Sequence, residues 1–476
     1  MRPAGTGRWW SRSGRSGDGG APGGASFQMP KKLLICSPSY AVHGGVETIV
    51  ADLCRHLPAF GWDAVLGLGK GGRFNDVTRY RAAYPDVPVV EFDGARGTRQ
   101  ARREGLIRTI RAVRPDVVLI ARVFDAYPVV SALKRGGGAP RLAVTIQAYE
   151  PHYLFDARLY REQMDLCVTS GEMIRRAAVE WAGLPEERVV SIPGGVRPPE
   201  VPVSPREPGE LLRLGYVGRL DPEQKRIGDL VAVLEILERR GVPFRMEVVG
   251  TGPAEAELRT RLGHFVDAGR VSFQGWLSRE ALYHKVYPDL DCLVHFARTE
   301  GVTIAPREVM AHGVVPVIAR FVGLEIEGQF VHEVNALTFP VGDVEGAAAC
   351  VRRLLEEPGL LRRLSESAMR SQGGRYSFDG VTKAWAEAFD LCLAQPVRTG
   401  PVPRLVLPPD GRLARLGVPP WLAQRVRDLL GRRHEHTDPG SEWPTGSGLL
   451  TPEAAESIRR FAEDLEATRG KPAVLA

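Results

Sequence analysis

Residues 197–220 read RPPEVPVSPREPGELLRLGYVGRL. The first fourteen are rich in proline and polar residues and show neither helical nor strand periodicity, so they read as a linker. The rest, RLGYVGRL (213–220), is a short apolar run with turn residues at its end. Such a run is continuous rather than alternating, as in a parallel strand covered on both faces. Runs of the same kind lie on both sides of the linker. Before it come KLLICSPS (32–39), DVVLIAR (116–122), LAVTIQA (142–148), DLCVTS (165–170) and RVVSIPG (188–194). After it come RMEVVGTG (245–252), VSFQGW (271–276), DCLVHFA (291–297), VVPVIAR (314–320) and ALTFPV (336–341). Amphipathic stretches separate them. Ile49, Val50, Leu53 and Leu57 mark one helical face, and Leu230, Val233, Leu234 and Leu237 another, with Gly241 as its stop. The pattern predicts an α/β protein in which two Rossmann-like, doubly wound domains face each other across a cleft.

Length and composition agree. The 476 residues are 43% hydrophobic and 25% charged, which suits two or three globular domains. No window holds the run of about 18 apolar residues that a transmembrane helix needs. The six cysteines have no C-x-x-C spacing, and Cys36, Cys167, Cys292 and Cys350 sit in apolar runs, so buried free thiols are expected rather than zinc ligands. Residues 1–28 lack the apolar core of a signal peptide and read as a disordered extension, with Met29 directly before the first strand.

The net charge of +6 is partly local. Arg96, Arg99, Arg102, Arg103, Arg108, Arg111 and Arg114 face only Glu104, over a stripe of Leu106, Ile107, Ile110 and Val113. One reading is a solvated helix face. The other is peripheral contact of Arg96–Arg114 with an anionic membrane surface or an acidic acceptor. No nucleic-acid partner is expected.

The chemistry concentrates in TEGVTIAPRE, residues 299–308. Glu300 and Glu308 flank a short uncharged turn that opens a helix. Unpaired backbone N–H groups and the helix dipole suit a phosphate there. Carboxylates suit neutral hydroxyls. The stretch is therefore laid out for a phosphate between two polyols, and a nucleotide-sugar has that form.

On these residues the chain resembles the retaining, two-domain GT-B glycosyltransferases of family 4, also called group 1. Glu300 and Glu308 match their E-x7-E signature. HGGVETIVADL, GYVGRLDPEQKR, VVGTGPAEAEL, EGVTIAPREVMAHGVVPV and VNALTFPVGD follow in family order over roughly residues 32–395. The resemblance implies metal-independent transfer of a sugar from a nucleoside diphosphate donor to a hydroxyl of a saccharide, lipid-linked or small-molecule acceptor, by a cytoplasmic enzyme without a cofactor. It assigns the diphosphate to Arg219 and Lys225 and to backbone N–H groups at Thr303 and Ile304. It assigns donor-sugar hydroxyls to Glu300 and ribose to Glu308. Gly44 and Gly45 would bring a second backbone anion site from the opposite domain, and Gly250 and Gly252 a turn beneath the nucleotide. His43, His152 and Gln147 are candidates for the acceptor side.

The sequence departs from the family at three points. Thr303 stands where a glycine is usual, the Arg219–Lys225 spacing is one residue longer than the commonest version, and Gln147 replaces a frequent histidine. Asp289 and Asp291 spell D-x-D, but directly before a strand, so no metal site is expected there. A nucleotide-sugar epimerase of the same fold and a non-catalytic sugar- or partner-binding relative stay open at this stage. The resulting division is a 1–28 extension, a 29–196 acceptor domain, a 197–210 linker and a 211–375 nucleotide-sugar domain. A 376–395 helix returns to the first domain, and a 396–476 tail with helices near 419–432 and 452–469 is expected to stand outside the catalytic unit.

Overall fold

The computed structural model describes residues 30–135, 140–301 and 303–469. The expected N-terminal extension lies outside the described residues. From Lys31 onward the chain forms one compact unit holding two parallel sheets.

The first sheet comprises β1 (Lys31–Pro38), β2 (Trp62–Lys70), β3 (Val89–Asp93), β4 (Val117–Ile120), β5 (Arg141–Ile146), β6 (Leu166–Thr169) and β7 (Val189–Ser191), in the order 3-2-1-4-5-6-7. The second comprises β8 (Leu212–Val217), β9 (Phe244–Val249), β10 (Val271–Gly275), β11 (Cys292–His295), β12 (Val315–Ala319) and β13 (Leu337–Phe339), in the order 10-9-8-11-12-13. Both orders reverse beside their first strand, at β1/β4 and at β8/β11. Ligands bind at such switch points, beyond the carboxyl ends of the strands.

Two strands, β2 and β3, escape the sequence reading. In β2 (WDAVLGLGK) Gly67 and Gly69 interrupt the apolar run. Both glycines are there for close packing. A Cβ on Gly67 would press on Leu34 and Phe92, and one on Gly69 would come within 2.9 Å of the Trp443 indole.

The helices that matter to the site are α1 (Gly45–His56), α2 (Arg99–Val113), α3 (Pro151–Leu159), α4 (Glu172–Arg176), α5 (Ile304–Ala311), α6 (Leu324–Glu327), α7 (Phe378–Ala394), α8 (Pro420–Leu429) and α9 (Pro452–Arg469). Helix α7 packs Val381, Trp385 and Phe389 into the first sheet's core, beside Leu33, Trp62 and Leu119. All six cysteines are buried free thiols.

The tail does not stand apart. Trp443 is fully buried in the first sheet's core, edge-on to Phe92 with ring centroids 4.8 Å apart, and its Nε1 donates to Lys70 O at 3.2 Å. The Glu442 carboxylate accepts backbone N–H groups from Arg73, Phe74 and Asn75, each at 2.8 Å. Helix α9 buries Ala462 and Leu465 against Met173 of the first half and Ile326 of the second. The expectation of a detached tail is corrected by this packing: aromatic and carboxylate anchors far along the chain complete the first domain's core.

The tail also claims much of the arginine run. Arg96 pairs with Glu104 and, at 2.8 Å, with Asp428 of α8. The Arg99 backbone N–H donates to Asp410 at 2.6 Å. Arg102 and Arg103 both reach Asp125. Arg108, Arg111 and Arg114 remain exposed. The near half of this run is therefore an internal ion-pair network, not the open face either reading expected. Among the described residues no helix is long and apolar enough to cross a membrane.

Candidate active site

The two switch points face each other. Gly44 is the N-cap of α1 and Thr303 that of α5. A Cβ on Gly45 would lie 3.4 Å from Ile304 Cδ1, so the two helix N-termini meet across the cleft. Glycine keeps the first of them open. Gly301 forms an antiparallel bridge with Ala148, and a Cβ there would collide with Gln147 O. Val302 lies outside the described residues.

Glu300 sits at the end of the loop after β11 and is 6% exposed. It is paired with Lys225 and, at 2.8 Å, with His295 Nε2. Burial alone would raise its pKa; the Lys225 ammonium and the His295 hydrogen bond outweigh that and hold the carboxyl down at about 2. His295 closes β11 and is missing from the sequence-derived set. Its signal was a lone histidine ending an apolar strand five residues before Glu300. Among the described residues its Nδ1 has no hydrogen-bond partner.

Lys225 and Arg219 belong to the loop after β8. Gln224 stitches that loop to the Glu300 turn: its Nε2 donates to Thr299 O at 3.2 Å, and its Oε1 accepts from Arg219 at 2.5 Å. The Arg219 side chain is 58% exposed, so its guanidinium is at liberty to move onto a ligand. Gly250 (φ 131°) and Gly252 lie directly under this loop. A Cβ on either would strike the carbonyl of Gly218 or Leu220, which makes both glycines supports of the Arg219 loop.

Glu308, in the second turn of α5, is buried. It accepts from Tyr287 Oη at 2.9 Å and pairs with Arg279 Nε at 2.9 Å. Arg279 also reaches Asp52 of α1 at 2.8 Å, and Asp52 holds Arg197 at 3.0 Å. Arg279 therefore joins a carboxylate of each domain. Burial opposes its charge, but Glu308 and Asp52 prevail and raise its pKa. It, too, is missing from the sequence-derived set, where a charge in a first helical turn drew no attention.

The acceptor-side candidates separate. His43 stacks on Trp276 across the cleft, with ring centroids 3.9 Å apart. Gln147 lines a pocket with Asp52, Gly194, Arg279, Ile304 and Trp385. A second pocket is lined by Glu300, Thr303, Tyr149, Glu327 and Gln329. His152 is placed differently: it stacks on Tyr153, and a Cβ on the tail's Gly446 would come within 3.1 Å of its ring. Asp291 is buried in a fork with Arg213 at 2.6 Å, and Asp289 pairs with the same arginine at 3.1 Å, so the D-x-D pair locks β8 to β11. Glu47 is likewise buried, paired with Arg122 just past β4.

Two carboxylates, two cationic side chains and opposed helix N-termini come together at paired switch points, an arrangement that can hold a ligand with both anionic and polyol parts. The family models described as Glycosyltransferase Family 4 and Glycosyl transferases group 1 match residues 43–199 and 212–357. With the GT-B fold, they place the chain among the glycosyltransferases. The chain is similar to the lipopolysaccharide core biosynthesis glycosyltransferase LpsD of Rhizobium meliloti, at 25% identity over 366 residues, covering 75% of this chain and 98% of that protein. It is also similar to the amylovoran biosynthesis glycosyltransferase AmsK of Erwinia amylovora, at 27% identity over 179 residues, covering 36% and 43%. Among solved structures, Anabaena HepE in complex with UDP-glucose superposes with TM-score 0.60 at 18% identity, over 75% of this chain and 99% of that one. The pneumococcal O-GlcNAc transferase GtfA in complex with UDP and GlcNAc gives 0.63 at 12%, over 77% and 100%.

Proposed function

We propose that this chain transfers a sugar from a nucleoside diphosphate sugar to a hydroxyl acceptor in glycan assembly, with retention of configuration and without a divalent metal or resident cofactor. The observation that carries the reading is the Glu300 turn. It opens α5 against the N-terminus of α1, with Lys225 and His295 on its carboxylate and the exposed Arg219 beside it. The diphosphate would lie between the two helix N-termini, where unpaired backbone N–H groups and the helix dipoles favour an anion. As the glycosidic bond breaks, negative charge grows on the leaving diphosphate. Arg219 and Lys225 stabilise that charge more than the ground state, which is what lowers a barrier. Glu300 orients Lys225 and accepts from donor-sugar hydroxyls. Glu308 accepts from ribose hydroxyls after Arg279 yields its place. The acceptor enters from the face the leaving group vacates, and a diphosphate oxygen takes its proton. A cytoplasmic setting, where such donors are made, belongs to the same proposal.

The test begins with thermal shift against UDP, GDP, TDP and ADP. At about 100 times Kd a bound nucleotide adds roughly 2.7 kcal/mol, and a protein that none of the four stabilises is not a nucleotide-sugar enzyme. Donor alone should be hydrolysed slowly at most, and its epimerisation would favour the epimerase reading. Transfer in excess chelator, with NMR of the product's anomeric proton, decides metal dependence and retention together.

A further inference from the structure

While the near half of the α2 arginine run is neutralised from within, the tail that does so carries an open face of the opposite kind. In α8, Ala423 and Gln424 are buried toward α2, where Gln424 accepts from Thr98. Trp421, Arg425 and Leu429 recur every four residues and lie on the other side of the helix. Leu429 is 87% exposed, Leu430 64%, Trp421 54%, and Leu416, in the turn before α8, 79%. Large apolar side chains left this open in a cluster mark a contact surface.

Its charge is one-sided. Arg412, Arg415, Arg425, Arg432 and Arg433 are exposed around the apolar residues. Among the described residues none of the five forms an ion pair with a carboxylate, and Arg425 instead lies over the Trp421 ring at 5.7 Å. Asp428, the acid within α8, is spent inward on Arg96. Leucines and a tryptophan rimmed by unpaired arginines, on a short helix lying on the protein's surface, match an anionic bilayer: the apolar side chains enter the headgroup boundary and the guanidiniums meet lipid phosphates.

We propose that residues 411–433 form a docking surface for an anionic membrane. The site is separate from the cleft and from the exposed end of α2, and it would bring the enzyme to lipid-borne substrates.

The full-length protein is sedimented with vesicles of phosphatidylcholine alone and of phosphatidylcholine with phosphatidylglycerol. It should pellet with the second only, and high salt should release it. Leu429→Ser/Leu430→Ser should abolish pelleting, and Arg432→Gln and Arg433→Gln should each weaken it about five-fold. Arg108→Gln/Arg111→Gln, on α2, should leave it unchanged. The melting temperature of each variant confirms that it is folded. Failure of the wild-type protein to pellet with anionic vesicles, or unaltered pelleting of the folded Leu429→Ser/Leu430→Ser variant, overturns the proposal. So does a solution dimer that this double variant dissociates, which would assign the face to a second copy.

Discussion

Glu300 and Glu308 stand eight residues apart and their side chains are buried to nearly the same degree, yet their surroundings differ in kind. Glu300 is held by Lys225 and His295, both from the second domain. Its ion-pair partners both come from one domain. Glu308 is held by Tyr287 and Arg279, and Arg279 is shared with Asp52 of the first domain. The first arrangement suits chemistry, where reacting groups must be fixed before the substrate arrives. On the proposed reading the second would tie nucleotide recognition to the domain interface, because a ligand that claimed Glu308 would displace Arg279, which also bridges to Asp52.

The largest expected effect follows from the first arrangement. Lys225→Ala should lower kcat by about 10²–10³, or roughly 2.7–4 kcal/mol, with little change in nucleotide affinity. Arg219→Ala should act in the same direction. An increase in KM alone would reduce both to binding groups.

Glu308→Ala should instead weaken nucleoside diphosphate binding by about 10–100-fold, the worth of roughly 1.5–3 kcal/mol for a hydrogen bond to a charged group. Calorimetric titration measures it directly, and kcat at saturating donor should hold within a few-fold.

The acid limb of stability distinguishes Glu300 from the tail's contact carboxylate, Asp156. Glu300 titrates lower in the fold than in the unfolded chain, with a value of about 2. Its contribution is therefore present above about pH 4.5 and is lost as pH falls toward 2, on the order of 3 kcal/mol by linkage. Asp156 has the opposite sign: burial pushes it up to about 7, against the hydrogen bond it accepts from the Ser447 N–H at 2.9 Å. It costs stability as pH rises from about 4 to 7. Denaturant unfolding across pH should show Glu300→Gln without the wild-type loss below pH 4.5. Asp156→Asn should be more stable than wild type by roughly 1–3 kcal/mol at pH 8 and equal to it near pH 4.

The smallest effect is expected of Asp52→Asn. It removes one of Arg279's two carboxylates and leaves Glu308 in place. Nucleotide affinity should change only a few-fold, as for a partly exposed ion pair, and kcat should not change.

Much of this was legible in the sequence, for physical reasons. Buried parallel strands leave continuous apolar runs, and a phosphate-facing helix start needs small residues between acceptors of opposite duty. Strands β2 and β3 were hidden because packing required glycine in β2, which weakens the strand signal. The arginine run looked unpaired because Asp410 and Asp428 stand more than 300 positions away in sequence. Trp443 and Glu442 were invisible as core residues because their stretch is rich in proline, glycine and serine. Arg279 and His295 had only ordinary local contexts, and their meaning comes from what the fold brings beside them. A chain ending near residue 396 would leave Gly69, Phe92 and the Arg73–Asn75 backbone uncovered, so loss of folding is expected where the sequence alone suggested a dispensable tail.

The central claim is that the Glu300 side of the turn serves the reacting bond while the Glu308 side holds the nucleotide. The most direct measurement is kcat and KM of Lys225→Ala and Glu308→Ala, side by side, on whichever donor the thermal-shift screen identifies. The account predicts a fall in kcat for the first variant and a rise in KM for the second. The same kinetic signature in both variants, or the reverse assignment, would contradict it.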